Sequence, residues 1–322
     1  MSSAEREFRF IETNGVVLRT VVEGDGPLVI MTHGWPQCWY LWRHLIDPVV
    51  EAGYRVAVPD MRGYGGSTCP PHIADYSIRN LTADVAGIAT ALGEERFISV
   101  GHDWGCIVAW YTALAYPERC RAVLGMSVPF WRLGQDTVYP PGKDDVLWYI
   151  RHFVENPGVA EAELDEDPER SIAGIHSSLT AEAGQLAFFR QLELPKNAHL
   201  LDAFPRPEKL PRCMTEEDLR YYAEQFRVSG FRGGLNWYRN MPTLASSTPE
   251  LQDKNISQPA AFLSGTEDPV LLFDEGWRPK FESSFDDLRF LEMVPDAGHW
   301  VQLEQPGRTA DLVLRFLQSV DG

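Results

Sequence analysis

The pattern of apolar and polar positions divides the chain into two parts, and the first part alternates between two kinds of segment. Short runs that are almost continuously apolar predict buried strands, and longer stretches with apolar residues at helical spacing predict amphipathic helices. Continuously apolar strands that alternate with helices predict an α/β protein, with a mostly parallel sheet covered by helices on both faces. Strands are expected at residues 8–13, 16–22, 28–32, 55–59 and 96–100, and helices at 39–52, 77–92 and 106–116.

A different pattern fills the chain from about residue 131 to residue 240. Strand patterns stop there, aromatic residues become dense, and helical periodicity with acidic faces takes over. We therefore predict a core domain made of residues 1–130 and 241–322, with a helical cap domain of residues 131–240 inserted into it. Ligands bind at the carboxyl ends of the strands in open α/β sheets, so the cap is expected to cover that edge. Strands return at residues 259–264 and 288–294, and a last helix is expected at 305–320.

The composition excludes several classes of function. The chain has 322 residues, 44% of them hydrophobic, which suffices for one large core, or for a core with a smaller subdomain. The formal net charge of −17 disfavours nucleic acid and anionic membrane surfaces as partners, because no basic face is available to displace counterions. No apolar run reaches the roughly 18 residues of a membrane span, and no secretory signal is recognisable. We therefore expect a soluble, cytoplasmic protein.

Cysteine and acidic residues add two further expectations. The five cysteines are scattered without a C-x-x-C pair, which predicts free thiols in a reducing compartment. No metal-ligand spacing is present, so no metal is expected. The seven acidic residues between positions 155 and 169 are interpreted as a solvated helix surface.

The stretch Gly101-His102-Asp103-Trp104-Gly105 lies between a predicted strand and a predicted helix. It has the form of a nucleophile elbow, but an aspartate stands where esterases and lipases carry serine. A carboxylate attacks saturated carbon and leaves an alkyl ester on the enzyme, whereas a serine alkoxide suits acyl transfer. The flanking glycines suit a strained turn that brings strand and helix close together. By itself the motif is weakly specific, and an aspartate that caps the helix is the alternative interpretation.

Two further candidate residues follow the last two predicted strands, at residues 259–264 and 288–294. An alkyl-ester mechanism must hydrolyse its own intermediate, which requires a base that activates water and a group that orients the base. Asp268 and His299 each lie just after one of these strands, in the order nucleophile, acid, histidine that is expected for this topology. We predict that Asp103, Asp268 and His299 form a triad, and Glu267 competes with Asp268 for the orienting role.

The loop after the third predicted strand is positioned to supply part of an oxyanion hole. It reads His33-Gly34-Trp35-Pro36, and we expect the backbone N–H groups of Trp35 and Trp104 to act as the two donors. Pro36 is expected to follow a cis peptide bond. The histidines of this loop and of the elbow are interpreted as supports of their loops.

The cap supplies tyrosines that suit an oxygen leaving group. An epoxide oxygen departs as an alkoxide and needs a general acid, whereas a halide needs only N–H donors. Tyrosine stays protonated at neutral pH, and the candidates are Tyr149 and Tyr238, with ordinary aromatic packing as the alternative. An apolar, aromatic pocket for the substrate is expected. Its predicted lining residues are Trp35, Pro36, Trp104, Trp131 and Trp148.

Taken together, these residues resemble the soluble-type epoxide hydrolases of the α/β-hydrolase fold family. The similarity covers residues 8–317, and its most specific marker is the segment 230–240, which ends Asn-Trp-Tyr-Arg-Asn. The elbow and the oxyanion loop are shared with haloalkane and haloacetate dehalogenases and do not separate these activities. The other markers are Asp60-Met61-Arg62-Gly63-Tyr64-Gly65-Gly66-Ser67, Pro157-Gly158-Val159-Ala160-Glu161-Ala162-Glu163-Leu164 and Gly298-His299-Trp300.

The resemblance implies an eight-stranded, mostly parallel sheet with an inserted helical cap, and catalysis without a cofactor or a metal. It implies that Asp103 is the nucleophile, His299 the base and Asp268 its partner, while Tyr238 and Tyr149 act as ring-opening acids. The stretch behind Tyr149 is one residue longer than the usual pattern, so Tyr139 stays open as the alternative second tyrosine.

The activity implied by the resemblance is the conversion of a hydrophobic epoxide and water to a vicinal diol through an ester on Asp103. Two alternatives remain open. One is a haloalkane or haloacetate dehalogenase with the same triad, and the other is a non-catalytic, ligand-binding member of the fold. The expected partners are the epoxide and water, without nucleic acid or a membrane span, in a monomer or a homodimer.

Overall fold

The computed structural model describes residues 6–131 and 145–321, and within them eight strands form one sheet. The strands are β1 (Phe8–Thr13), β2 (Val16–Glu23), β3 (Leu28–Thr32), β4 (Arg55–Pro59), β5 (Phe97–His102), β6 (Cys120–Met126), β7 (Ala260–Gly265) and β8 (Leu288–Val294). Their order is β1-β2-β4-β3-β5-β6-β7-β8. β2 pairs antiparallel with β1 and β4, and all other neighbours are parallel. The predicted mostly parallel, eight-stranded sheet is thereby confirmed.

Helices cover the sheet and fill the chain between β6 and β7. They are α1 (Ile46–Glu51), α2 (Ile78–Ala91), α3 (Trp104–Ala115), α4 (Tyr149–Glu155), α5 (Val159–Asp165), α6 (Pro168–Ser178), α7 (Leu200–Ala203), α8 (Glu216–Ser229), α9 (Arg232–Arg239), α10 (Leu244–Ser247), α11 (Trp277–Glu282), α12 (Val301–Glu304) and α13 (Pro306–Asp321). None of these helices is long and apolar enough to cross a membrane. The division into core and cap at residues 131 and 240 stays a prediction, and Tyr139 lies outside the described residues.

The structure differs from the expected elements in two places near the start of the sheet. The helix expected over 39–52 is broken into a 3-10 turn, Trp39–Trp42, and helix α1. Pro48 lacks the N–H that a continuous helix would donate to the carbonyl of His44, so the helix restarts with Pro48 in its first turn. Strand β6 has no counterpart among the strands located from the sequence.

The acidic stretch at 155–169 is only partly a solvated surface, which corrects the expectation. The side chain of Glu161 is 12% exposed and pairs with both terminal nitrogens of the Arg239 guanidinium in α9. Glu163 is 13% exposed, and its Oε2 atom lies 3.0 Å from Nε2 of His152. The two acidic side chains are thus held as partners of Arg239 and His152, which are both buried.

The parallel strands bring the predicted site residues to one edge. The loops that follow β3, β5, β7 and β8 leave the sheet at the carboxyl ends of their strands, because these strands run in the same direction. They carry the oxyanion loop, Asp103, Asp268 and His299 respectively. Helices α4 and α9, from the chain between β6 and β7, contribute Tyr149 and Tyr238 to the same edge.

Candidate active site

Asp103 lies on a sharp turn between β5 and α3. Its φ angle is +54°, in the left-handed region that few non-glycine residues adopt. The turn needs its glycines, because a Cβ atom on Gly105 would lie 2.1 Å from the carbonyl oxygen of Thr32, and one on Gly101 would lie 2.1 Å from that of Gly105. The Asp103 side chain makes no capping hydrogen bond to α3, which speaks against the helix-cap interpretation.

The carboxylate of Asp103 is held by backbone donors. The N–H group of Trp35 donates to Oδ1 of Asp103 at 2.7 Å, and the Trp35–Pro36 peptide bond is cis, as the sequence predicted. The backbone N–H of Trp104 contributes to lowering the pKa of this carboxylate. A Cβ atom on Gly34 would lie 2.1 Å from Oδ1 and 2.5 Å from the nitrogen of Trp104, so only glycine leaves room for this arrangement. Trp35 and Trp104 are the two donors that the sequence predicts for an oxyanion hole, and the N–H of Trp35 here engages the carboxylate itself.

His299 bridges the two aspartates. Its Nε2 atom lies 3.5 Å from Oδ2 of Asp103, and its Nδ1 atom lies 3.1 Å from Oδ1 of Asp268. Asp268 is fully buried and also accepts hydrogen bonds from the Ser264 hydroxyl at 3.0 Å and the Val270 N–H at 3.0 Å. The acid is therefore fixed in orientation, and it fixes the ring of His299 in turn.

Glu267, the alternative orienting acid, is not the carboxylate that contacts His299. Its side chain lines a surface pocket together with Asp296 and Glu304, whereas both Asp268 oxygens lie within hydrogen-bonding distance of Nδ1 of His299. The structure thus brings Asp268 rather than Glu267 to the histidine.

The backbone of His299 is fixed as firmly as its ring. Its carbonyl oxygen lies 2.8 Å from Nε2 of His102 and accepts a hydrogen bond from the Ser127 hydroxyl at 2.7 Å. Its N–H donates to the carbonyl of Leu179, directly after α6, at 2.9 Å. His102 therefore supports the loop that carries His299, the role expected for it from the sequence.

The electrostatics of the site produce a paired, charged resting state. Burial acts to lower the pKa of His299, but the charge of Asp268 and the contacts with Asp103 outweigh it and raise that pKa to about 10. Burial acts to raise the pKa of Asp103, but the hydrogen bond and charge of His299 lower it overall. Burial lowers the pKa of His102 to about 3 and that of His33 to about 4, so both stay neutral. At neutral pH the site therefore holds a carboxylate against an imidazolium.

The two candidate tyrosines, Tyr149 and Tyr238, lie together beside Asp103. The rings of Tyr149 and Tyr238 are buried and meet edge to face, with centroids 5.8 Å apart. The Tyr238 ring makes edge contacts with Trp104 at 5.1 Å and with Trp35 at 5.8 Å. Burial raises the pKa of both phenols well above the usual range, and the charge of Asp103 adds to this rise. Both hydroxyls therefore stay protonated at neutral pH and are able to donate.

Phe153 is a lining residue that the sequence reasoning did not single out. Its ring lies 5.1 Å from that of Trp35, 5.2 Å from that of Tyr238 and 5.6 Å from that of Tyr149, so it closes the aromatic wall behind the tyrosines. Its position four residues after Tyr149, on the same face of α4, is the pattern from which it was predictable.

The two outer tryptophans of the predicted pocket lie in different places. Trp131 is half-buried and shares an apolar cavity with Trp104. Trp148 packs against Tyr149 at 5.2 Å and against Phe273, from the loop after β7, at 5.3 Å. The surroundings of the nucleophile are therefore aromatic on the Trp104 side and on the Tyr149 side.

Comparison with known proteins gives a consistent result. A family model described as the alpha/beta hydrolase fold matches residues 27–306. The chain is 40% identical over 321 residues to epoxide hydrolase A of Mycobacterium tuberculosis, covering 97% of this chain and 98% of that protein. The crystal structure of epoxide hydrolase A from Mycobacterium thermoresistibile superposes with a TM-score of 0.88 at 41% identity, covering 97% of this chain and 98% of that one. An epoxide hydrolase from an endophytic Streptomyces gives a TM-score of 0.92 at 34% identity, covering 98% and 96%.

Proposed function

The chain belongs to the α/β-hydrolase fold family and is an epoxide hydrolase, and we propose that it hydrolyses a hydrophobic epoxide to a vicinal diol through an ester on Asp103. The observation that carries the proposal is the arrangement around one carboxylate. Oδ1 of Asp103 is held by the N–H of Trp35 at 2.7 Å, and Oδ2 faces His299 at 3.5 Å. Two buried tyrosines, with ring centroids 5.8 Å apart, lie on the cap side of the same carboxylate.

In the first half-reaction, Oδ2 of Asp103 attacks a ring carbon while Oδ1 remains in the oxyanion hole. A carbon–oxygen bond of the epoxide breaks, and the departing oxygen accepts hydrogen bonds from Tyr149 and Tyr238 as its negative charge develops. The product is an alkyl ester on Asp103 together with a hydroxyl group that has gained one proton. Because both phenols are held protonated, the tyrosines are ready to donate throughout the neutral pH range.

Formation of the ester prepares His299 for the second half-reaction. Esterification removes the charge of Asp103, and that charge is one of the causes that raise the pKa of His299 to about 10. The pKa of His299 therefore falls, and the proton that it releases balances the one gained by the ring-opened oxygen. The neutral imidazole, still oriented by Asp268, is then able to take a proton from water.

In the second half-reaction, the activated water attacks the carbonyl carbon of the ester. The negative charge develops on Oδ1, where the N–H groups of Trp35 and Trp104 stabilise it. A single donor of this kind lowers the activation barrier by about 3 kcal/mol. Collapse of the tetrahedral intermediate releases the diol and returns Asp103 as a carboxylate. The proton left on His299 restores the ion pair of the resting enzyme.

A single-turnover experiment in water enriched in ¹⁸O tests the ester pathway. Water attacks the carbonyl of the ester, so the label is expected in the carboxyl group of Asp103 and not in the first diol formed. Peptide mass spectrometry locates the label after excess enzyme has consumed the substrate. Enzyme incubated without the epoxide is the control and should stay unlabelled. A labelled diol from the first turnover, with no label at residue 103, would contradict the proposal.

The tyrosines separate epoxide hydrolysis from the dehalogenase alternative. We expect Tyr238→Phe to slow ester formation from an epoxide by about 100-fold, because one acid that assists the departing oxygen is lost. Tyr149→Phe should act in the same way. A dehalogenase would keep its activity in Tyr238→Phe, since a halide leaves without a proton. Release of halide from haloalkanes, at a rate that this substitution leaves unchanged, would favour the alternative.

The walls of the site indicate the class of substrate. The aromatic walls formed by Trp35, Trp104, Phe153 and Trp148 suit an uncharged, apolar epoxide. The domain division at residues 131 and 240 would place both tyrosines in a cap and the triad in the core. All five cysteines are free, which supports a reducing, cytoplasmic location.

A further inference from the structure

The loop that carries His299 contacts the cap directly. Gly298 packs so closely against this part of the cap that a Cβ atom on it would lie 2.5 Å from the carbonyl oxygen of Leu179 and 2.6 Å from the nitrogen of Ala181. His299 donates its own N–H to Leu179 at 2.9 Å. The main chain of the loop therefore rests on the cap segment that follows helix α6, which we call the cap strap (residues 179–185).

Glu304 joins the loop and the cap strap through one carboxylate. Its Oε1 atom accepts the N–H of Gly298 at 3.0 Å and the N–H of Trp300 at 3.1 Å, the two residues that flank His299. Its Oε2 atom accepts the N–H of Ala181 at 2.8 Å. A carboxylate that merely caps the short helix α12 would account for the first two bonds, but the third reaches a residue 123 positions away.

The cap strap is tied to the orienting acid as well. The side-chain amide of Gln185 donates to the carbonyl of Thr266 at 2.9 Å, in the loop that carries Asp268. The same seven-residue stretch of the cap thus contacts both loops that determine where His299 and Asp268 lie.

We propose that Glu304 is a positioning residue that holds His299 in place as the base of ester hydrolysis by fixing its loop to the cap strap. This role rests on the function proposed above, because it concerns only the step in which His299 activates water. Three N–H donors on one carboxylate leave the loop little freedom to shift. A displacement of about 1 Å at a catalytic group costs about 100-fold in rate, so small changes in this anchor have large consequences.

The two half-reactions depend on this anchor to different degrees. Ester formation needs Asp103 and the tyrosines, whereas hydrolysis needs the imidazole at a defined distance from water and the ester carbonyl. Loss of the anchor should therefore slow hydrolysis more than ester formation. A purely structural role of Glu304 would lower the fraction of folded enzyme and would leave the ratio of the two rates unchanged.

The test uses Glu304→Gln in single-turnover experiments with an aryl oxirane such as styrene oxide. Glutamine keeps the shape of the side chain, but its NH₂ group replaces one of the two accepting oxygens. A donor then faces a backbone N–H, and at least one hydrogen bond of the anchor is lost. We expect the hydrolysis rate to fall by about 10- to 100-fold, with ester formation changed by less than about threefold. With excess epoxide, intact-protein mass spectrometry after rapid acid quenching should also show a larger fraction of the variant than of the wild type as the ester during steady-state turnover.

Glu182→Gln is the matched control. Glu182 lies in the cap strap next to Ala181 and carries the same charge, but it is 43% exposed and contacts Arg212 at the surface. This variant should show no accumulation of ester. Accumulation equal to that of Glu304→Gln would overturn the proposal, because it would trace the effect to the loss of charge.

A second variant keeps the proposal testable if Glu304→Gln does not fold. Glu304→Asp keeps the charge but is one methylene shorter, so it cannot reach the loop and the cap strap together, and the same unequal slowing is expected. Equal changes in both half-reactions, or none, would overturn the role of Glu304. If the wild type itself formed no ester, the proposed function would fail instead, so that the two failures are distinguishable.

Discussion

The His299→Gln variant should accept an epoxide and then stop as a covalent ester. The expected fall in diol formation is about 10⁴-fold, because glutamine cannot take a proton from water. Ester formation should continue, since the attacking oxygen belongs to Asp103 and the departing oxygen is assisted by Tyr149 and Tyr238. Intact-protein mass spectrometry should therefore show an increase equal to the mass of the whole epoxide, and peptide mapping should place it on residue 103.

His44→Gln is a suitable control for this experiment, because His44 is exposed and lies outside the site. It should turn over at the wild-type rate without a stable adduct. A His299→Gln protein that is folded and remains unmodified after long incubation with excess epoxide would argue against an ester intermediate. Slow turnover without an adduct would have the same meaning, since the diol would then arise by direct attack of water.

The order of the elements was predictable because short-range patterns encode it. Buried strands such as β3 and β4 are continuous or nearly continuous apolar runs, and both begin and end where the sequence predicts. The elbow was predictable for a related reason, since Gly101 and Gly105 occupy positions at which a Cβ atom would collide with backbone. Once parallel strands are expected, the loops after them must meet at one edge, which is why the triad could be proposed before any contact was known.

Contacts between distant parts of the chain were not predictable from periodicity. One local feature was also missed. The missing N–H of Pro48 breaks the helix expected over 39–52, but the helical spacing of the apolar residues there favoured one continuous helix. The partners of Glu161 and Glu304 lie 78 and 123 positions away, at Arg239 and Ala181, and no short-range pattern encodes such pairings. An acidic residue on a helix is usually solvated, so only the fold identifies these two half-buried carboxylates as anchors.

Asp103→Asn should abolish turnover and should also fail to form an adduct, which distinguishes it from His299→Gln. The neutral amide is too weak a nucleophile to open the ring, and we expect diol formation to fall by about 10⁵-fold. The fold should persist, because the amide oxygen can still accept the N–H of Trp35. Diol assays combined with intact-protein mass spectrometry check both expectations, and an adduct on the variant would place the nucleophile elsewhere.

The same substitution isolates the charge that Asp103 exerts on His299. With the carboxylate replaced by a neutral amide, the pKa of His299 should fall from about 10 but stay above its ordinary value, because Asp268 still raises it. Titration of the imidazole by NMR measures this shift directly. A raised folded-state pKa stabilises the protein below the unfolded pKa of about 6.5, and this stabilisation is lost as the pH rises through the folded pKa. The free energy of unfolding should therefore decline less steeply between neutral and alkaline pH in Asp103→Asn than in the wild type. An unchanged pKa of His299 in the variant would mean that ester formation does not prepare the base, and the coupling between the two half-reactions would have to be abandoned.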